Sequence, residues 1–145
     1  MSGLELHVIN HAMFPAAWPQ MRPLIDKCIA HAYHGEMETD DVFSMATDAR
    51  VFAIAGFIAS EMVVVGVFQP IEYPRMNCLN CIVVAGKSPG VMAQINTEWM
   101  EKLREYARKH LGMDAIECLA SDAMTRILIR MGYQKIYNFL RMELN

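Results

Sequence analysis

The chain has 145 residues with a formal net charge of −3, and 54% of its residues are hydrophobic. This length suits one hydrophobic core and is short for two, so we expect a single domain over residues 1–145. The acidic balance, with no cluster of Lys and Arg longer than a pair, argues against a protein that binds nucleic acid by neutralising its phosphates.

The N-terminal residues and one apolar run determine where the protein is expected to act. Residues 1–7 lack the basic start and apolar stretch of a signal peptide, which predicts a cytoplasmic protein. Residues 51–68 are apolar enough to suggest a membrane-spanning helix, but Ser60 and Glu61 lie in the middle, where an ionised side chain costs roughly 2.5–3.5 kcal/mol. The β-branched and aromatic residues on both sides favour two strands bent at this pair, and no membrane partner is expected.

Four cysteines without a secretion signal favour reduced thiols over disulfides. They are Cys28, Cys78, Cys81 and Cys118. A zinc site at Cys78 and Cys81 would need two further ligands, for which His7 and His11 are the candidates. A strand would place the two cysteines on opposite faces, so no metal site is expected, and a small redox or metal protein is the weakest alternative.

The first predicted elements are a strand and a helix. Residues 4–9 alternate in polarity and predict a strand. Apolar residues at helical spacing then predict a first helix, with Pro19 and Pro23 confined to its start and Gly35 placed to end it. The apolar positions of this helix are Trp18, Met21, Ile25, Cys28, Ile29 and Ala32.

A second helix and a meander of strands come next. Thr39 followed by two acids predicts an N-cap and a short helix over residues 39–49. The hairpin over 51–68 is followed by a turn-rich connection over 70–75 and a strand over 77–85. The sheet is therefore expected to begin as an antiparallel meander.

The passage from this strand into the next helix is the most informative part of the chain. Ser88 suits an N-cap, Pro89 suits the first helical position, and Gly90 has no side chain to block a ligand. Free N–H groups in the first turn of a helix, with the helix dipole behind them, form a candidate anion site. An ordinary capped helix over 89–110 is the alternative interpretation.

The C-terminal part is predicted to contain a strand, a helix and a strand. Residues 114–119 form a fifth strand, parallel to the strand before the long helix because the crossover contains that helix. Ser121 or Asp122 caps a last helix that Gly132 ends, and 134–144 form a final strand. The order predicts an α/β (α+β) fold with a mixed, mostly antiparallel twisted sheet between helices.

This order of elements resembles the GNAT superfamily of N-acetyltransferases over nearly the whole chain, and most closely the GNAT-like proteins encoded by tailed bacteriophages. The motifs that carry the resemblance are Tyr73-Pro74-Arg75, Ala85-Gly86, Glu98-Trp99, Asp114-Ala115-Ile116-Glu117, Arg126 and Gly132-Tyr133. The resemblance implies a GNAT-like acyl-CoA N-acyltransferase fold with helices on both faces of the sheet.

The resemblance also implies acetyl-coenzyme A as co-substrate, bound where the strands over 77–85 and 114–119 separate. Its pantetheine arm would bond the backbone near Val83, Val84 and Ala85. Its pyrophosphate would lie at the start of the long helix. The residues implied there are Lys87, Ser88, Gly90, Val91 and Met92.

The chain departs from the superfamily pattern at the phosphate loop and in the last helix. Lys87, Gly90 and Met92 occupy the three defining loop positions, so only the middle glycine is kept, and Met92 is expected to crowd a pyrophosphate. The position of the tyrosine that protonates the leaving thiolate in many members is Leu128, and Ser121 replaces a familiar asparagine.

No catalytic residue is assigned from the sequence. Tyr133 is expected to pack against the last helix, and His31 and His34 beside the first helix are given a structural role. Three glutamates in or near strands are equally suited to be a general base or solvent-facing residues. They are Glu61, Glu72 and Glu117.

Two functions remain. The first is an acyl-coenzyme A-binding acetyltransferase that acts on an unidentified amine. The alternative is a catalytically degenerate GNAT-fold phage structural or interaction protein, carried in the virion. Either a homodimer or contacts with phage virion proteins would fit these functions.

Overall fold

The computed structural model describes residues 3–144 and contains one mixed sheet flanked by helices. Within that range the elements are β1 (Glu5–Ile9), α1 (Phe14–Ala32), α2 (Thr39–Thr47), β2 (Phe52–Ile58), β3 (Glu61–Tyr73), β4 (Met76–Gly86), α3 (Pro89–Lys109), β5 (Ala115–Cys118) and α4 (Asp122–Arg130). The strands lie in the order β1-β2-β3-β4-β5, with antiparallel pairing up to β4 and parallel pairing between β4 and β5. The predicted fold class is confirmed.

The two faces of the sheet bury separate apolar clusters. On one face, α1 and α2 pack over β2, β3 and β4 through residues such as Met21, Ile25 and Val42. On the other face, α3 packs through Ile95, Trp99 and other residues at helical spacing. Because apolar side chains project from both faces, the central strands are nearly continuous apolar runs.

Two glycines relieve crowding on the face of the sheet that α3 covers. A Cβ on Gly66 would lie 2.6 Å from the Phe68 ring and 3.3 Å from the Trp99 indole. A Cβ on Gly56 would lie 2.6 Å from Val64 and 2.9 Å from Leu4. The absence of side chains at these positions therefore makes room for the side chains of Phe68, Val64 and Leu4, and at Gly66 also for Trp99.

The hairpin between β2 and β3 confirms the interpretation of residues 51–68 as two strands. The turn is formed by Ala59 and Ser60, both with positive φ (49° and 67°), the combination that matches the twist of paired strands. No helix within residues 3–144 is both long and apolar enough to cross a membrane.

One prediction about α1 and one about α2 were wrong. α1 begins at Phe14, so Pro19 and Pro23 lie inside the helix instead of at its start. Each proline removes one backbone hydrogen bond from the helix, and burial of the apolar face offsets that cost. The N-cap of α2 is Glu38, not Thr39: the Glu38 amide donates to Asp41 Oδ2 at 2.8 Å.

The connection and the final strand also differ from prediction. β3 extends through residues 70–73, which were expected to belong to a turn, because Pro70 and its neighbours pair with β4. Residues 134–144 form no strand, and within the described residues they take part in no backbone–backbone hydrogen bond. An alternating pattern alone does not produce a strand when no paired neighbour supplies the hydrogen bonds.

Candidate functional site

The strands β4 and β5 separate from each other at one edge of the sheet. Their parallel pairing runs from Cys78 opposite Ala115 to Cys81 opposite Cys118, where β5 ends. β4 continues to Gly86 with β3 along one edge only. Within the described part of the chain, the other edge of residues 82–86 therefore faces no strand.

A β-bulge lies where this open edge begins. Cys81 pairs with Phe68 and Val83 pairs with Val67, so Ile82 is an extra residue without a partner on β3. Ile82 and Val83 consequently both pack on the α1 face, whereas Cys81 and Val84 pack on the α3 face. A bulge changes the direction of a strand and redirects its backbone groups, and such features are frequent beside functional sites.

The end of α1 contacts the bulge. The Tyr33 hydroxyl donates a hydrogen bond to the Ile82 carbonyl oxygen. Burial and the nearby Cys28, Cys81 and Glu36 groups raise the pKa of Tyr33 to about 12, so this phenol stays protonated and can act as a donor at neutral pH. The sequence analysis named the flanking His31 and His34, both exposed, and missed Tyr33 as a site residue.

Thiols and a second tyrosine surround the same point. Burial raises the pKa of Cys28, and a hydrogen bond with the Val84 backbone partly offsets the rise. Burial also raises the pKa of Cys81, Cys118 and Tyr133, and the electrostatic effect of the two cysteines adds to the rise at Tyr133. All four cysteines of the chain are free thiols. The raised pKa values of Cys28, Cys81 and Cys118 keep these three thiols neutral and weakly nucleophilic.

The N-terminus of α3 follows β4 directly. Ser88 is the N-cap, and its side chain accepts a hydrogen bond from the Val91 amide at 3.2 Å, as predicted. The Met92 amide donates to the Ser88 carbonyl at 3.0 Å. Among the described residues the Gly90 amide has no acceptor, and a Cβ built on Gly90 would meet no atom within 4 Å.

Two side chains limit this anion site. The Lys87 ammonium forms an ion pair with Glu61, so its charge is partly neutralised. Met92 lies over the end of β4, because a Cβ on Gly86 would be 2.2 Å from its Cγ and Sδ atoms. Met92 therefore fills space at the end of β4, and its crowding of a pyrophosphate stays a prediction.

The candidate acids and bases do not converge on one point. Glu61 pairs with Lys87, and Glu117 accepts a hydrogen bond from the Tyr73 hydroxyl at 2.7 Å. Glu72 is exposed, and Leu128 is half-buried in α4. The positions of these three glutamates do not identify one of them as a general base.

Two concave surfaces of the molecule are lined by no residue of the open edge of β4. One, of about 360 Å³, lies beside α2 and is lined by Glu36, Asp41, Asp48 and Arg50 among others. A second, of about 510 Å³, lies between α1 and the β2–β3 hairpin. No group of three or more His, Cys, Asp or Glu side chains within residues 3–144 has the arrangement of a metal site.

The sequence matches no protein-family model and no curated protein. The fold, in contrast, is shared with solved acetyltransferases. An aminoglycoside acetyltransferase from an uncultured soil metagenomic sample, in complex with sisomicin, has a TM-score of 0.71 and 7% identity, covering 99% of this chain and 96% of its own. The chain has the fold of the GNAT-family acetyltransferases.

Two further structures support the same fold. The ribosomal-protein-alanine N-acetyltransferase from Brucella melitensis has a TM-score of 0.68 and 7% identity, with 97% of this chain and 99% of that chain covered. A GNAT-family acetyltransferase from Staphylococcus aureus has a TM-score of 0.69 and 13% identity, with 99% and 100% covered. Identities at this level concern the fold and not the substrate.

Proposed function

We propose that the protein binds acetyl-coenzyme A along the open edge of β4 and transfers its acetyl group to an amine. The observation that carries this proposal is the continuation of β4 beyond β5, through a bulge, into a capped helix N-terminus with an open Gly90. One continuous segment thus offers strand backbone and then a helix end within a few residues.

The pantetheine arm would bond backbone groups at Val83, Val84 and Ala85, which have no second strand partner within the described residues. The apolar side chains of Val83 and Ala85 are buried in the core, so only the backbone groups of these residues are available to a ligand. The diphosphate would lie at the first turn of α3 near Lys87, Ser88, Gly90, Val91 and Met92. The free Gly90 amide and the helix dipole favour an anion there.

Transfer would proceed by attack of the neutral amine on the thioester carbonyl. A C–N bond forms, the C–S bond breaks, the amine loses a proton and the leaving thiolate gains one, which yields an amide and free coenzyme A. The protein would contribute orientation and strand N–H groups that stabilise the oxyanion. Because Leu128 cannot donate a proton, we expect slow turnover.

Calorimetric titration with acetyl-coenzyme A tests the binding step, with Gly90→Ala and Gly90→Glu as matched variants. A Cβ at this position has free space, so Gly90→Ala should bind within about threefold of wild type. Gly90→Glu adds a negative charge at the diphosphate and should weaken binding by roughly tenfold or more, equal to about 1.4 kcal/mol. No heat from the wild type with millimolar ligand would overturn the proposal.

The second candidate function is a catalytically silent GNAT-fold component of a bacteriophage, acting through protein contacts. It is favoured by Met92 over Gly86, by Leu128 in α4 and by the apolar surface of the C-terminal part of the chain. An enzyme would act in the cytoplasm of the host if the protein is phage-encoded, whereas a virion component would be recovered with particles. Absence of heat in the calorimetric experiment would favour this second function, because an enzyme must bind its acetyl donor.

A further inference from the structure

The backbone of the bulge in β4 is held by a side chain from outside the sheet. Ile82 is the extra residue of the bulge, and its carbonyl oxygen accepts a hydrogen bond from the Tyr33 hydroxyl. The hydrogen-bond ladder of a sheet is interrupted at a bulge, so the backbone there is fixed less firmly than in a regular strand. The contact with Tyr33 therefore acts on backbone that the sheet itself holds only in part.

The register shows which backbone groups of β4 point to the open edge. The Lys87 amide donates to the Val63 carbonyl at 2.8 Å, and Gly86 lies opposite Val64. In an antiparallel ladder this arrangement means that the N–H and C=O groups of Gly86 point away from β3, and Val84, two residues earlier, has the same direction. The Val84 N–H and C=O groups therefore face the open edge.

The Ile82 carbonyl points to the same edge. Val83 lies opposite Val67, in the other type of antiparallel pair, so its N–H points towards β3. The Ile82 carbonyl and the Val83 N–H belong to one planar trans peptide and point in opposite directions. By holding this carbonyl, the Tyr33 hydroxyl fixes the orientation of the peptide unit that comes directly before the one carrying the Val84 N–H.

Two contacts fix the position of Tyr33 itself. Tyr33 is the C-cap of α1, where its amide donates to the Ile29 carbonyl at 3.3 Å and its backbone becomes extended (φ −109°, ψ 146°). Its side chain packs against the apolar cluster between α1 and the sheet. The helix end fixes the backbone of this residue and the core fixes its ring, so α1 determines where the hydroxyl lies.

A second group of α1 contacts the same edge more weakly. The Cys28 thiol forms a hydrogen bond with the Val84 backbone. A thiol is a weak hydrogen-bonding group, so a polar group of a ligand can take its place more easily than it could replace a phenol. The helix therefore leaves Val84 accessible to a ligand while it holds Ile82 in place.

We propose that Tyr33 is a positioning residue for the open edge of β4: its hydroxyl holds the bulge so that the Val84 backbone groups point towards the pantetheine arm of a bound acyl-coenzyme A. Backbone that is already held in its bound orientation loses less conformational entropy when a ligand binds. The ligand part of this inference rests on the proposed function, whereas the hold on the bulge concerns the protein alone. Tyr33 acts through the backbone of residues 82–84 and not on the reacting atoms.

Amide hydrogen exchange in the free protein tests the hold on the bulge. Tyr33→Phe keeps the ring and removes the hydroxyl, so protection of the Val83 amide should fall by roughly threefold to tenfold relative to the Val65 amide in the centre of the sheet. The matched control is Tyr73→Phe, which removes a hydroxyl that donates to Glu117 at 2.7 Å and should leave Val83 unchanged. Unchanged protection at Val83 in Tyr33→Phe, or equal falls at Val83 and Val65, would overturn the proposal.

Calorimetric titration with two ligands tests the effect on binding. Tyr33→Phe should weaken the binding of acetyl-coenzyme A by roughly threefold to tenfold and leave that of ADP, which has the diphosphate without the pantetheine arm, within about twofold of wild type. Gly90→Glu should weaken both ligands, and Tyr73→Phe should weaken neither. Circular dichroism verifies folding of each variant.

The titrations also separate this inference from the proposed function. Equal weakening of both ligands by Tyr33→Phe would contradict a positioning role, and tighter binding of acetyl-coenzyme A would show that the hydroxyl competes with the ligand for the edge. Either result overturns the proposal. If the wild type binds no acetyl-coenzyme A, the proposed function fails, and the exchange of the Val83 amide alone decides whether Tyr33 holds the bulge.

Discussion

The four antiparallel strands with α1 and α3 differ sharply from β5, α4 and residues 134–144. Within residues 3–144, every buried apolar side chain lies between Leu4 and Ala107, although apolar residues continue to Leu144. The two regions therefore differ in what their apolar residues pack against, not in how many they contain. Folding stability is concentrated in the first region, and the second exposes its large apolar side chains.

Truncation of a side chain in each region gives the largest contrast. Trp99 is 2% exposed and packs on Gly56 and Gly66, so Trp99→Ala should lower the free energy of unfolding by about 3–5 kcal/mol. Ile129→Ala in α4, at 49% exposure, should change it by less than about 0.5 kcal/mol. Urea unfolding measures both. Equal losses at the two positions would contradict the division.

Glycine substitutions test the same division with smaller expected changes in the free energy of unfolding. Gly66→Ala places a methyl group against Phe68 and Trp99 and should destabilise the protein by about 1–3 kcal/mol through overpacking. Gly90→Ala meets open space at the start of α3 and should be neutral to within about 0.5 kcal/mol. Thermal unfolding of the two variants checks the difference in stability, which would vanish if the Phe68 ring were free to shift.

The smallest expected effect is the pH dependence of the contact between the two regions. The hydrogen bond from Arg141 lowers the pKa of Glu36 to about 2 from its ordinary value near 4.5. A lowered pKa means that the contact contributes fully above pH 4.5 and is lost as the pH falls towards 2. The protection of the His34 to Glu36 amides against hydrogen exchange, taken relative to the intrinsic rate at each pH, should fall over this range. Arg141→Ala should remove that pH dependence, and a fall in protection that persists in the variant would assign it to another group.

Much of the fold could be predicted because periodicity and capping reflect local chemistry. The N-cap at Ser88, the hairpin over 51–68 and the parallel neighbour of β4 all follow from patterns within one or two elements. The start of α1 could not be predicted, because burial of its apolar face outweighs two internal prolines. The prediction of a strand over residues 134–144 was wrong, because strand pairing depends on a neighbour that a single sequence does not specify.

The candidate site was predictable only in part. Residues 83–85 were named from the resemblance to the GNAT superfamily, whereas the helix start at Ser88, Pro89 and Gly90 was also named from its cap, proline and glycine. The contact of Tyr33 with Ile82 joins residues 49 positions apart, so no local pattern indicates it. The bulge itself depends on the register between β3 and β4, which hydrophobic alternation leaves open because both faces of β4 are apolar.

The bulge also determines where β4 tolerates a change in length. Elsewhere in the strand, the loss of one residue would move every following side chain to the opposite face of the sheet. Ile82 and Val83 share a face, so loss of Ile82 alone would leave Val83, Val84 and Ala85 oriented as they are now. A chain one residue shorter here would keep the core and lose the carbonyl that Tyr33 contacts. At this position, the strand can lose one residue while the side chains on both sides of it keep their faces of the sheet.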